Sequence, residues 1–255
     1  MNRFVCGVLL CIAVSSTSAT FAQDVPQAVT FSRKNTFTFF AEYSPTSSHI
    51  LLGGARQRIL ADLGGAYTRR VAGFWGSDLG YQIELRPILF ESDPIETISN
   101  FSINGTPVTY LPPSSSAVIG FCQPGTIQLS FPGYPSGTPP TVEAYTVTCG
   151  RQWTFGQSFS PIGFKYSMRT HHPLQPFLIG TLGYMYTSRP IPVADAESFN
   201  FVFDFGAGME LFRSENHQRS VSLEARYHHF SNRNTAPENP GTDSITYKLS
   251  YSFGR

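Results

Sequence analysis

The stretch FNFVFDFGAGMELF, residues 199–212, puts Phe199, Phe201, Phe203, Phe205, Ala207, Met209 and Leu211 at odd positions, with Asn200, Asp204 and Glu210 between them. Side chains leave an extended strand alternately on its two sides, whereas a helix repeats every 3.6 residues. This segment is therefore a strand with one apolar and one polar face, and it is long for a soluble protein, whose strands average about 5–6 residues.

The same period recurs along the chain. Leu79, Tyr81, Ile83, Leu85 and Leu89 alternate with Gln82, Glu84 and Arg86, and Ile59, Ala61, Leu63 and Tyr67 with Arg58, Asp62 and Thr68. Ile245, Tyr247, Leu249, Tyr251 and Phe253 alternate with Ser244, Thr246, Lys248, Ser250 and Ser252. About eight such segments lie near 35–44, 56–73, 77–91, 152–169, 174–188, 198–213, 219–231 and 243–253. Several approach the ~9–11 residues with which a strand crosses a bilayer. Their connectors are short after the second, fourth and sixth segments and longer after the others, as in outer-membrane barrels. The pattern predicts an all-β chain: an eight-stranded antiparallel transmembrane barrel of the outer membrane. Residues 92–151, with YLPPSSS and FPGYPSGTPP, read as a long external loop between the third and fourth strands.

A soluble cup or a β-sandwich would also alternate. Either would put Glu42, Arg58, Asp62, Glu84, Arg86, Asp204, Glu210, Glu224, Arg226 and Lys248 on a solvated exterior. In a small membrane barrel the same residues would form a paired, neutralised interior. Charged residues are only 14 % of the chain, well under the ~25 % usual for soluble domains, which favours the membrane reading.

Residues 1–22 carry Arg3, an apolar run and then small residues, and read as a secretory signal peptide ahead of one barrel domain at 23–255. The 18 basic residues lose Arg3 with the leader, leaving 17 against 17 acidic ones, a balance that argues against nucleic acid as partner. Cys6 and Cys11 leave too, so Cys122 and Cys149 are expected to form one disulfide in an oxidising compartment. Neither cysteine has metal-ligand spacing, and nothing in the sequence calls for a metal or an organic cofactor.

The stretch RYHHFSNRNTAPENPGTDS, residues 226–244, collects the groups of a nucleophilic triad. Val221, Leu223, Ala225 and Tyr227 share one parity, and continuing the strand adds His229 and Ser231 to that apolar side. Asp243 has the outward parity of the final segment. A serine needs a base to take its proton, and the base needs a carboxylate to fix its tautomer. Asn232 can offer an amide hydrogen to a developing oxyanion. His228 has inward parity and reads as an interior histidine. His171 and His172 fall in a short turn at the opposite end.

His229-Phe230-Ser231-Asn232, followed by Asn239-Pro240-Gly241 and Asp243, resembles the signature of the lipid A 3-O-deacylases, the PagL family of outer-membrane enzymes. That resemblance implies a barrel that hydrolyses the ester-linked 3-position acyl chain of lipid A, with the active site toward the outer leaflet. Carried over by position, Ser231 is the nucleophile, His229 the base, Asp243 the orienting acid and Asn232 part of the oxyanion hole. Two features depart from the family: an Asp where well-known members have Glu, and the 92–151 insertion. The rival expectations are a non-enzymatic structural or binding barrel and a soluble carrier of apolar ligands.

Overall fold

The computed structural model describes residues 30–109, 112–133, 135–213 and 217–255; the leader expected at 1–22 lies outside them. Its strands are β1 (Asn35–Ser44), β2 (Ile59–Phe74), β3 (Ser77–Ile103), β4 (Thr106–Pro107), β5 (Ser114–Ala117), β6 (Gly125–Phe131), β7 (Thr141–Ser167), β8 (Leu174–Ile191), β9 (Glu197–Phe212), β10 (Arg219–Ser231) and β11 (Thr242–Gly254). Eight of them pair antiparallel in a closed circuit, β1–β2–β3–β7–β8–β9–β10–β11 and back to β1. The seam between first and last strands runs from Thr36↔Gly254 to Tyr43↔Tyr247. Closure leaves the circuit no free edge, as a strand surrounded by lipid requires.

The wall has the polarity expected from the alternation. Phe199, Phe201, Phe203 and Phe205 face out, and so do Phe37, Phe39, Leu182, Leu223, Leu249 and Tyr251. Inside, Arg86 Nη2 lies 2.7 Å from Glu84 Oε1 and 3.1 Å from Asp204 Oδ2, while Arg226 Nη1 and Lys248 Nζ reach Glu84 at 3.1 and 2.7 Å. Lys248 Nζ also sits 3.5 Å above the centre of the inward-facing Phe40 ring. Each charge depends on its neighbours. Removing one partner from such a buried set costs about 3–5 kcal/mol, because it leaves the other uncompensated.

We call the end of the barrel bearing residues 45–58, 192–196 and 232–241 the upper rim. Just inside it the charges give way to an apolar cluster of Leu60, Leu89, Met185, Ile191, Val202 and Phe230. The interior is filled, and this end is sealed.

Two expectations are corrected. Leu89 was placed on the outward face with Leu79 to Leu85, but it is fully buried in the upper cluster. Pro87 and Ile88 both face out, and the register shifts there against β2 and β7, so the parity of β3 inverts above that point. Pro87 has no N–H to give a ladder, which is where an irregular residue fits a strand.

The second correction concerns residues 92–151, which are not a plain loop. β2 parts from β3 at the Ile59↔Ser92 pair, yet β3 and β7 stay paired up to Ile103↔Glu143. The two 27-residue strands rise beyond the ring as a hairpin. β4 and β5 pair with β3, and β6 with β7, making a small sheet above the barrel. The cause is in the flanks of the insertion. Ile95, Thr97, Ile98, Phe101 and Ile103, with Thr141, Val142, Tyr145, Thr146 and Val147, are β-branched or aromatic residues that favour strands. The Pro- and Gly-rich runs supply turns between them. Cys122 and Cys149 form the expected disulfide, which ties the segment after β5 to β7. Across 27 residues of chain such a link restricts the unfolded state by about 3–4 kcal/mol on a chain-entropy account.

Candidate active site

β10 carries its alternation to its last residue. Ser222, Glu224, Arg226, His228 and Phe230 point inward and are buried, while Tyr227, His229 and Ser231 lie on the outer face at the upper rim. His228 is an interior residue, as its parity indicates: its Nδ1 is 2.5 Å from Asp204 Oδ1. His171 and His172 lie at the opposite end, before β8.

His229 and Asp243 are direct cross-strand partners. His229 Nδ1 lies 2.7 Å from Asp243 Oδ1. The Tyr227 hydroxyl donates to the same oxygen at 2.7 Å, and its ring lies within 7° of parallel to the imidazole. The other oxygen, Oδ2, accepts from the backbone amides of Ile50, Leu51 and Leu52 at 3.2, 2.7 and 2.8 Å. An arrangement in which the group only accepts fits the carboxylate anion.

An outward-facing carboxylate would be costly against lipid. It is not against lipid. The β1–β2 connector, residues 45–58, folds over it and leaves it no exposure. Ser48 N–H donates to Asp243 O, Ala55 N–H to Gly241 O and Gly54 N–H to Pro240 O, binding the connector along the start of β11. The approach is close enough that a Cβ at Gly53 would lie 2.5 Å from the Asp243 amide nitrogen, so only glycine fits. Gly241, at φ +58°, would bring a Cβ to 3.2 Å from His229 Cε1.

Ser231 follows His229 by two residues on the same face. Among the described residues no hydrogen bond joins its hydroxyl to the imidazole, so His229 and Asp243 are engaged with each other while Ser231 stands beside them uncoupled. Such contacts are commonly long without substrate and tighten when it binds.

Asn232 is engaged with its own connector. It is 1 % exposed. Its Nδ2 donates to Glu238 O at 2.7 Å, its Oδ1 accepts from Asn234 N at 3.0 Å, and its own N–H reaches Asn239 Oδ1 at 3.0 Å. The side chain braces the 232–241 connector through these bonds. The next residue, Arg233, has φ +56°, and its amide has no hydrogen-bond partner among the described residues.

Tyr227 and the 45–58 connector were not identified from the sequence. Tyr227 shares the outward parity of His229 two positions on, and that spacing was the available signal. Backbone donors from Ile50 to Leu52 leave no such trace. The surroundings are apolar: Leu51 and Leu52 are each 67 % exposed, and Phe201, Phe203 and Ile245 stand on the neighbouring wall.

A family model described as lipid A 3-O-deacylase (PagL) matches residues 133–252, a span that includes all of β7 to β10, the 232–241 connector and most of β11. No curated protein matches the chain. Among solved structures, the crystal structure of the outer membrane enzyme PagL is similar at 14 % identity and a TM-score of 0.47, covering 86 % of this chain and 99 % of that one.

Proposed function

From the match of residues 133–252 to the lipid A 3-O-deacylase (PagL) family model, we propose that the chain is a serine esterase of the outer membrane. Its substrate is lipid A, from which it removes the ester-linked 3-position acyl chain. The observation that carries the reading is the 2.7 Å His229–Asp243 pair on the outer face of the wall, with Ser231 two residues further along it. A site buried in the barrel would not meet a lipid. This one faces the apolar exterior at the upper rim, which we assign to the outer leaflet, where an acyl ester lies between sugar and hydrocarbon.

The chemistry follows from the donors available. Asp243 holds Nδ1–H of His229, which leaves Nε2 unprotonated and able to take the Ser231 proton as Oγ attacks the ester carbonyl carbon. The carbonyl π electrons move onto oxygen, and the free Arg233 N–H, rather than the Asn232 side chain, is the donor we assign to that oxyanion. Collapse breaks the acyl–oxygen bond, and the imidazolium returns its proton to the departing sugar hydroxyl. Water then attacks the acyl-serine with His229 as base again, releasing the fatty acid and restoring the serine. Tyr227 and the three amides of residues 50–52 keep Asp243 ionised and correctly aimed.

Mass spectrometry of lipid A from cells expressing the wild-type chain or Ser231→Ala tests this. The wild type should yield lipid A lighter by one hydroxyacyl or acyl group, and the variant should not. Unaltered lipid A with a folded wild-type barrel in the outer membrane would instead support a structural or binding barrel.

A further inference from the structure

The three amides that hold Asp243 belong to the tip of a connector whose arms hydrogen-bond to the start of β11 through Ser48, Gly54 and Ala55. Leu51 and Leu52 are each 67 % exposed and Ile50 is 37 % exposed, so no apolar burial fixes the tip. A second anchorage lies at its other end, residues 56–58, where most of the partners come from the 92–151 insertion. Arg56 N–H donates to Ile119 O at 2.9 Å, and Cys122 N–H to Gln57 Oε1 at 2.9 Å. Arg151 Nη1, two residues beyond Cys149, donates to Gln57 O at 2.5 Å. Arg58 is the hub: its guanidinium donates to Asp93 Oδ1, Arg56 O, Ile119 O, Val118 O and Pro192 O, at 3.1, 2.5, 3.1, 2.6 and 3.1 Å. Its backbone N–H reaches Ser47 Oγ at 2.9 Å, and Ser47 pairs with Ser244 beside the acid. The 118–122 segment that receives so many of these bonds is pinned to β7 through the Cys122–Cys149 bond.

We propose that the disulfide-stapled insertion positions the active-site acid: Cys122–Cys149 holds residues 118–122, these hold residues 56–58, and the 45–58 connector so held presents its amides to Asp243. Arg58 and the two cysteines are positioning residues for the reaction and touch no substrate. The inference rests on the proposed esterase function and assigns the insertion a part in it. Without the staple the 118–122 segment is held to the hairpin, among the described residues, by the β3–β5 pairing and the Val118 N–H to Pro94 O bond. The connector then samples arrangements in which its tip leaves the carboxylate, and Asp243 keeps only Tyr227 and His229.

The test is a double-mutant cycle on purified protein in detergent, with purified lipid A as substrate and mass spectrometry as readout. Cys122→Ser/Cys149→Ser, and separately the wild type treated with a phosphine reductant, should each lose about 10- to 10²-fold in kcat, the scale of a small misplacement of a catalytic group. KM should stay within about twofold, and heat-modifiable gel mobility should report an intact barrel. In an Asp243→Ala background the cysteine substitutions should cost nothing further, since they act through that carboxylate. Arg58→Gln should follow the cysteine variants in both backgrounds. Unchanged kcat after reduction, or the same fold loss with and without Asp243, overturns the proposal. Hydrogen exchange at the Leu51 and Leu52 amides reads the link without any turnover: faster exchange on reduction supports it, and unchanged exchange overturns it. A wild type that leaves lipid A intact sinks the esterase reading, while exchange still decides whether the insertion holds the connector.

Discussion

Replacing Asp243 by asparagine separates orientation from bulk, because the shape is kept and only one oxygen becomes NH2. The three amides of Ile50, Leu51 and Leu52 converge on one side of the carboxylate. Turning the new NH2 toward them would set donor against three donors, at about 1–3 kcal/mol for each unsatisfied group. The amide oxygen must therefore keep that side, and the NH2 must face His229 Nδ1 and the Tyr227 hydroxyl. Tyr227 can rotate its hydrogen away. His229 cannot adapt without cost: Nδ1 becomes an acceptor, the proton moves to Nε2, and the nitrogen facing Ser231 can no longer take a proton. The wrong tautomer should lower kcat by about 10⁴-fold, as in a triad whose acid is amidated. That corresponds to about 5 kcal/mol of barrel-independent activation energy. The loss should persist across neutral pH, and heat-modifiable mobility should be unchanged. Deacylation of purified lipid A followed by mass spectrometry measures it. A folded Asp243→Asn variant within tenfold of wild type would refute the assignment of Asp243 as the group that sets the imidazole.

Ser231→Ala and His229→Ala should each nearly abolish deacylation in a folded barrel, while His228→Ala, which disturbs only the interior pair with Asp204, should retain chemistry at lower thermal stability. The reverse ranking of the two histidines would move the site to the wrong face of β10. Asn232→Ala should loosen the 232–241 connector, seen as faster proteolysis there together with reduced turnover; lost turnover with an unaltered connector would restore the side chain as an oxyanion donor. Gly53→Ala should lower kcat in a folded barrel, because its Cβ cannot fit 2.5 Å from the Asp243 nitrogen, and wild-type turnover would contradict that packing. Glu84→Gln should cost about 3–5 kcal/mol of barrel stability in denaturant unfolding, since Arg86, Arg226 and Lys248 all lean on that carboxylate.

The barrel was legible because strand parity is written residue by residue, as in the odd phenylalanines from 199 to 205, and because the charged residues of the other face are too few for a soluble exterior. Leu89 was misfaced because a bulge is a backbone event: Pro87 hints at it, but nothing in the alternation up to Leu85 forces it. The sheet above the barrel was missed because its turns, rich in Pro and Gly, outweighed flanks such as Ile95–Ile98 and Val142–Val147 that pair only with one another at long range. In the site, parity and spacing placed His229, Ser231 and Asp243 on one face, where His229 and Asp243 meet. Asn232's bonds to Glu238 and Asn234 carried no sequence signal, because a side chain beside Ser231 looks available until its partners are seen. The amides of residues 50–52 belong to the main chain and carry no residue signature at all.

The placement of Ser231 and His229 on the outside of the wall has a kinetic meaning. On the proposed esterase function, neither the substrate nor the severed fatty acid has to cross into water or enter a channel, so encounter and departure are lateral diffusion in a two-dimensional solvent. Turnover should then scale with the mole fraction of lipid A in the surface, and diluting the membrane with inert lipid should slow the reaction where adding more buffer would not. The accumulating fatty acid stays in the same leaflet as the site, so product inhibition, too, is governed by surface composition.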